Sequence, residues 1–289
     1  YLADENTLTT SLTLSRDFGK HKLLGGIQFF YSDLEESGMY VVVNPESSFL
    51  GSPYKSMSSK NAREIGVFVQ DEWNPVSSLI IAPSMRLDHH YSEEEYKSDR
   101  KVFEKNSFPK ADFDETSFNP RLALKYNLSH NVTLRLNGGT GYRAPYGFSE
   151  DLHLCSGSPR VWKSNELNPE KSISVNISGD YYGETIKMSL NFFRTNLKDK
   201  IGFVDASSDV SAMGYDYEWK NIDDAYVQGI ELTFFKRVTR NLSLNADFTY
   251  NQGEYDNVRE DWAGTEFKDI SKKISRFPET SGNLKLEYK

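Results

Sequence analysis

The residues of this chain best equipped for chemistry are few and scattered. Gly139-Thr-Gly141-Tyr-Arg-Ala144 fits the G-x-G-x-x-A pattern that seats a dinucleotide pyrophosphate at a helix N-terminus. That chemistry needs a parallel strand buried on both faces ahead of it and a helix behind it. Pro145 pushes Ala144 towards extended geometry and blocks the helix. The preceding segment alternates apolar Val132, Leu134 and Leu136 with polar Thr133, Arg135 and Asn137, which a doubly buried strand would not do. The pattern therefore reads as coincidence. His89-His90 beside Glu93, Glu94 and Glu95 offers nitrogen and oxygen ligands to a divalent ion, but the run reads more simply as a solvated acidic loop tip. A second acidic run, Glu254, Asp256, Glu260 and Asp261, makes no better a calcium site. No G-x-S-x-G elbow or H-E-x-x-H pair occurs, and Asp223-Asp224 on a strand would face opposite ways. Cys155 is single, so no internal disulfide or thiolate zinc site is available. No metal site and no resident cofactor is expected, and no enzyme chemistry is assembled.

Composition narrows the class. A formal net charge of -8 argues against a nucleic-acid partner. Mean hydropathy is -0.62, and no window approaches the ~18 apolar residues of a membrane helix. A membrane β-barrel escapes that test, because its apolar surface sits on every second residue of short strands. An aromatic content of 13% in so polar a chain suits the girdles of such a barrel.

What must position any site is a series of strands. Period-two alternation predicts eleven, near 7–16, 21–31, 64–74, 78–90, 117–128, 131–142, 171–182, 184–195, 225–237, 241–252 and 280–289. Between them, very short turns alternate with connections of roughly 25 to 32 residues. That asymmetry is the pattern of an outer-membrane barrel, short towards the periplasm and long towards the outside. The expected fold class is all-β, an antiparallel transmembrane β-barrel. An odd strand count leaves two unpaired edges, which lipid does not tolerate, so residues 1–289 are expected to be part of a larger barrel.

Several strings then resemble TonB-dependent outer-membrane receptors. FVQDEW (68–73) and LIIAPSMRLDHH (79–90) look like their barrel strands. Tyr142-Arg143-Ala144-Pro145 resembles the family's G-[FY]-R-A-P box. Asn168-Pro169-Glu170, in a compressed form, resembles its N-P-x-L-K-P-E box. NIDDAYVQGIELTFF (221–235), with Gly229 and Glu231, resembles its N-x-x-x-A-x-x-x-G-[VI]-E signature. The order along the chain is the family's order. The resemblance implies a 22-stranded barrel, a plug domain and TonB-contacting segment N-terminal of Tyr1, and import of a scarce metal chelate: siderophore, cobalamin or haem. It also implies ligand contacts in the loop after Pro145. His153 would serve as an axial haem ligand, and Tyr146, Phe148, Arg160 and Trp162 would stack on a chelate. Two other readings stand beside these: LHL as a packed loop residue, and the barrel as an outer-membrane enzyme or adhesin.

Overall fold

The computed structural model describes residues 1–41, 50–98, 111–145, 161–164, 166–212, 217–259, 271–274 and 277–288. Alternating apolar and polar side chains put one apolar and one polar face on each extended segment. The segments are β1 (Leu2–Phe18), β2 (His21–Val41), β3 (Pro53–Val76), β4 (Leu79–Ser98), β5 (Ala111–Asn127) and β6 (Val132–Arg143). They continue as β7 (Val161–Lys163), β8 (Glu170–Tyr182), β9 (Ile186–Asp205), β10 (Tyr217–Arg237), β11 (Leu242–Arg259), β12 (Ser271–Lys273) and β13 (Thr280–Tyr288). The long strands pair antiparallel, each with its neighbour in sequence, from β1 to β6, then β8 to β11, then β13. Three-residue β7 lies parallel to β10, and β12 pairs with β11. Among the described residues β1 pairs with β2 alone and β13 with β11 alone, so both edges of the sheet are open here.

Each of the eleven expected strands has an observed counterpart, with ends at the short turns that differ by at most two residues. The strands are longer than expected at the ends away from the short turns: β3 runs 24 residues from Pro53, where alternation predicted a start at 64. Connections of 25 to 32 residues are correspondingly shortened; between β2 and β3 only residues 42–52 remain. His89–Glu95 accordingly lie in strand β4 and not at a loop tip. The glycines of the G-x-G-x-x-A string lie in β6, with no helix behind them among the described residues. One four-residue helix, α1 (Ser208–Ser211), was not foreseen. No described helix is long and apolar enough to cross a membrane.

The apolar face bounds a lipid band. Towards the short turns it ends at His21 and Trp73, whose rings stack at 5.8 Å. At the other end Tyr31, Arg63 and Tyr91 stand side by side, the guanidinium 5.8 Å from each ring centroid. From Arg63 to Trp73 the chain climbs about 33 Å at ~3.3 Å per residue. At the ~40° tilt usual in such barrels that is about 25 Å of height, the extent of a lipid-facing band. Between these rows Ile27, Phe29, Ile65, Val67, Val69, Met85 and Leu87 are exposed, as lipid-facing residues must be. On β6 to β11 the same face carries Leu136, Ile177, Phe192, Ile230 and Tyr250 in one row.

The opposite face is polar. It buries Asp88, His90, Ser92, Glu94 and Asp180, and Lys60 is 1% exposed. Several of its charges answer one another. Arg86 grips Asp88 at 2.6 Å and reaches Glu64 at 3.4 Å, while His90 Nδ1 lies 3.1 Å from Glu64. Arg135 pairs with Asp180. A water-filled or protein-filled lumen, and not lipid, is what such a face requires.

Candidate functional site

The three strings that resembled family boxes are far apart in sequence and converge at the long-loop end of the sheet. β6 loses its pairing to β5 beyond Arg121–Gly139, although both strands run on. Pro145, which has no N–H to give, stands where the chain leaves the sheet. Tyr142 spans the seam: its hydroxyl donates to Glu115 at 3.1 Å and its ring lies 4.8 Å from that of His90. Arg143 Nη1 donates to Glu170 Oε2 at 3.1 Å, and Glu170 Oε1 accepts the Ile201 N–H at 2.7 Å. One carboxylate thus ties β6 to β8 and β9.

Asn168 is fixed from the other side. Its N–H donates to Asn221 Oδ1 at 2.8 Å, and its carbonyl accepts from Asn221 Nδ2 at 3.0 Å. The same amide donates to the carbonyl of Asp199 at 2.6 Å. Asp199 is the one described non-glycine residue with positive φ, 55°, at a bulge between β9 and β10. Its N–H donates to Asp224 Oδ1 at 2.8 Å, whereas Asp223 turns away to accept from Asn257 of β11. The two adjacent carboxylates therefore serve different strands. Ala111, Phe113, Ala144, Leu167 and Ile201 form a buried apolar cluster beneath these bonds, with Tyr142 and Trp219 packed on it. Ala144 and the residue before Asn168 are thereby drawn into one small core, so both ends of the segment between them are held.

Gly229 sits where a Cβ would run into the carbonyl oxygen of Tyr250 and lie 2.8 Å from Phe193. The glycine lets β10 and β11 approach around the Phe193 ring. Two residues on, Glu231 accepts from Asn191 Nδ2 at 2.9 Å on the polar face.

Of the residues expected to touch ligand, Tyr146, Phe148, His153 and Arg160 lie outside the described residues, as does Cys155. Trp162 is in β7, opposite Glu218 of β10, and half-buried. His89 and His90 point to opposite faces: His90 is buried against Glu64 and Ser117, and His89 lies near Thr116 and Asp114. They cannot share an ion, and no cluster of three ligating side chains occurs among the described residues. Asn221, Asp199 and Ile201 were missed by sequence reasoning. Asn221 alone carried a signal, as the first residue of the signature string.

Replacing Glu170 with alanine is expected to cost about 2–3 kcal/mol. It removes a charge-assisted bond and leaves the Ile201 N–H without its acceptor. Glu170→Gln keeps that acceptor and is expected to lose about half as much. Urea unfolding of the two variants side by side checks the order; equal losses would mean the Ile201 bond contributes nothing, and a Gln variant as stable as wild type would mean the same of the Arg143 charge pair.

A sheet with a lipid band on one face, a charged lumen on the other and short turns at one end defines an outer-membrane β-barrel. The family model "TonB dependent receptor-like, beta-barrel" matches residues 1–289. The chain belongs to the TonB-dependent receptor family, within its barrel, and so to the outer membrane of a Gram-negative bacterium and to a family of transporters, not of enzymes. It is similar to the ferric enterobactin receptor of Pseudomonas aeruginosa, 24% identical over 211 residues, 67% of this chain and 26% of that protein. It is also similar to the vitamin B12 transporter BtuB of Photobacterium profundum, 31% identical over 113 residues, 39% of this chain and 17% of that one. The solved structure of the copper transporter OprC superposes with a TM-score of 0.72 at 17% identity, over 99% of this chain and 42% of its own. The chain thus spans about a quarter of the length of the ferric enterobactin receptor and less than half of the copper transporter.

Proposed function

We propose that this chain is part of the barrel of a receptor that captures a metal chelate at the cell surface and passes it inward with energy delivered by TonB. In that reading the rest of the protein supplies the strands that cover the two open edges, the plug and the TonB-contacting segment. The observation that carries it is the node of Arg143, Glu170, Asn168 and Asn221. It anchors both ends of the segment holding Tyr146, Phe148, His153 and Arg160 to a rigid sheet, the arrangement by which loops make binding sites. Trp162 lies in the same stretch. Among cargoes, a ferric siderophore is favoured: the ferric enterobactin receptor matches over nearly twice the length of the vitamin B12 transporter. An anionic aromatic chelate also suits aromatic and arginine contacts.

Native mass spectrometry of the full-length receptor, mixed with ferric enterobactin, cobalamin and haem, tests this. Retention of ferric enterobactin is the expected result. Retention of haem, lost with His153→Ala, would replace the siderophore reading with axial ligation. A folded receptor that retains none of the three would reject a metal chelate as cargo.

A further inference from the structure

The lumen wall between β4 and β8 carries a cation that has no ion-pair partner among the described residues. Arg121 stands on the polar face, between Ser84 of β4 and Gly139 of β6. Its stem lies across Gly139, where a Cβ would meet Arg121 Cγ at 2.5 Å. The glycine leaves room for a concavity of about 420 Å³, lined by Arg121 together with Gln70, Ser84, Asn137, Ser174 and Asn176. Hydroxyls and amides line it, and no carboxylate does. Two acids line the adjoining concavity with Arg121, and both are committed, Asp88 to Arg86 and Glu64 to His90 and Arg86; Asp180 further along the wall is committed to Arg135. Four residues nearer the short turns, Lys125 lies directly opposite Arg135. Like charges facing each other across two strands destabilise a sheet unless something negative lies between them. Asp180 answers Arg135; among the described residues neither Lys125 nor Arg121 has an ion-pair partner.

We propose that Arg121 is the anchor of an oxyanion site on the lumen wall, taking a planar two-oxygen anion of carboxylate or catecholate type. The guanidinium fork offers parallel N–H donors that match such a pair, and the neutral donors around it complete the shell. The inference rests on reading the polar face as the lumen of a receptor. Two sources present this chemistry there: an acidic side chain of the polypeptide that occupies the lumen, and an anionic chelate in transit.

The test uses full-length receptor with Arg121→Met, which keeps the stem and drops the charge, and Arg121→Lys. Heat-modifiable gel mobility first confirms that each variant is folded. Melting is compared at about 0.01 M and about 1 M salt, between which the Debye length falls from about 30 to about 3 Å. Ferric enterobactin is the probe for equilibrium binding to de-energised cells and for energised uptake. With a resident acid, Arg121→Met melts several degrees below wild type at low salt, the gap closes at high salt, and Arg121→Lys restores most of it. With a transiting anion, melting and surface binding are unchanged, uptake falls about tenfold, as loss of one charge-assisted bond would give, and Arg121→Lys restores part of it. The site is overturned if Arg121→Met matches wild type throughout, or melts equally low at both salts without rescue by lysine, which is packing alone. If wild-type receptor does not bind ferric enterobactin, the siderophore reading fails, and the salt-dependent melting still decides the oxyanion site.

Discussion

Ile177→Arg is expected to destabilise the inserted receptor by about 2–4 kcal/mol, the cost of an arginine facing lipid near the bilayer midplane. Ile177 stands in the row Leu136, Ile177, Phe192, Ile230 and Tyr250, and is 56% exposed without its lipid. One residue away, Asn176 faces the lumen between Asn137 and Phe193, and Asn176→Arg is expected to cost less than about 1 kcal/mol. The contrast between neighbours is the informative quantity, since helix or strand propensity cannot distinguish them. Urea-dependent folding of the full-length receptor into lipid vesicles measures both. Equal losses would mean that the apolar face is not against lipid.

The second large effect concerns the lumen. Asp180 is nearly buried, pairs with Arg135 and accepts from Ser189 Oγ at 2.7 Å. Asp180→Ala leaves that arginine facing Lys125 with no counter-charge. Breaking a buried pair in this way costs about 3–5 kcal/mol; Arg135 keeps 35% exposure, which brings the expected loss to about 2–4 kcal/mol. Asp180→Ala with Arg135→Met should recover most of it, because no uncompensated charge remains. If the double variant is as unstable as the single one, the loss comes from Ser189 or from packing, and the ion pair carries little.

These two residues also show what the sequence made legible. Ile177 and Asp180 lie in SISVNISGDYY, where alternation between lipid and lumen is complete, and the strand and its two faces follow from period two. Alternation fails above the lipid band because both faces there meet polar surroundings. Tyr54-Lys55-Ser56-Met57-Ser58-Ser59-Lys60 belongs to β3, yet nothing in its hydropathy marks a strand. Three-residue β7 and β12 and the single-turn α1 are shorter than any window that could reveal them. The site was legible by resemblance in its parts, Tyr142 to Pro145, Asn168 to Glu170 and Asn221 onward. That Asn221 brackets Asn168, 53 residues earlier, is a tertiary fact that no local pattern carries. Arg121 was in plain view in FNPRLALKYN, but that Asp88 and Glu64, which line a concavity with it, pair with other cations is again a tertiary fact.

Energised transport through this barrel is tested most directly by uptake of radio-iron enterobactin into cells whose only receptor for it is the full-length protein, with and without a proton uncoupler. Accumulation that collapses when the gradient is dissipated, while surface binding persists, is the expected result. Uptake indifferent to the uncoupler would describe a passive pore and contradict energised transport through this barrel.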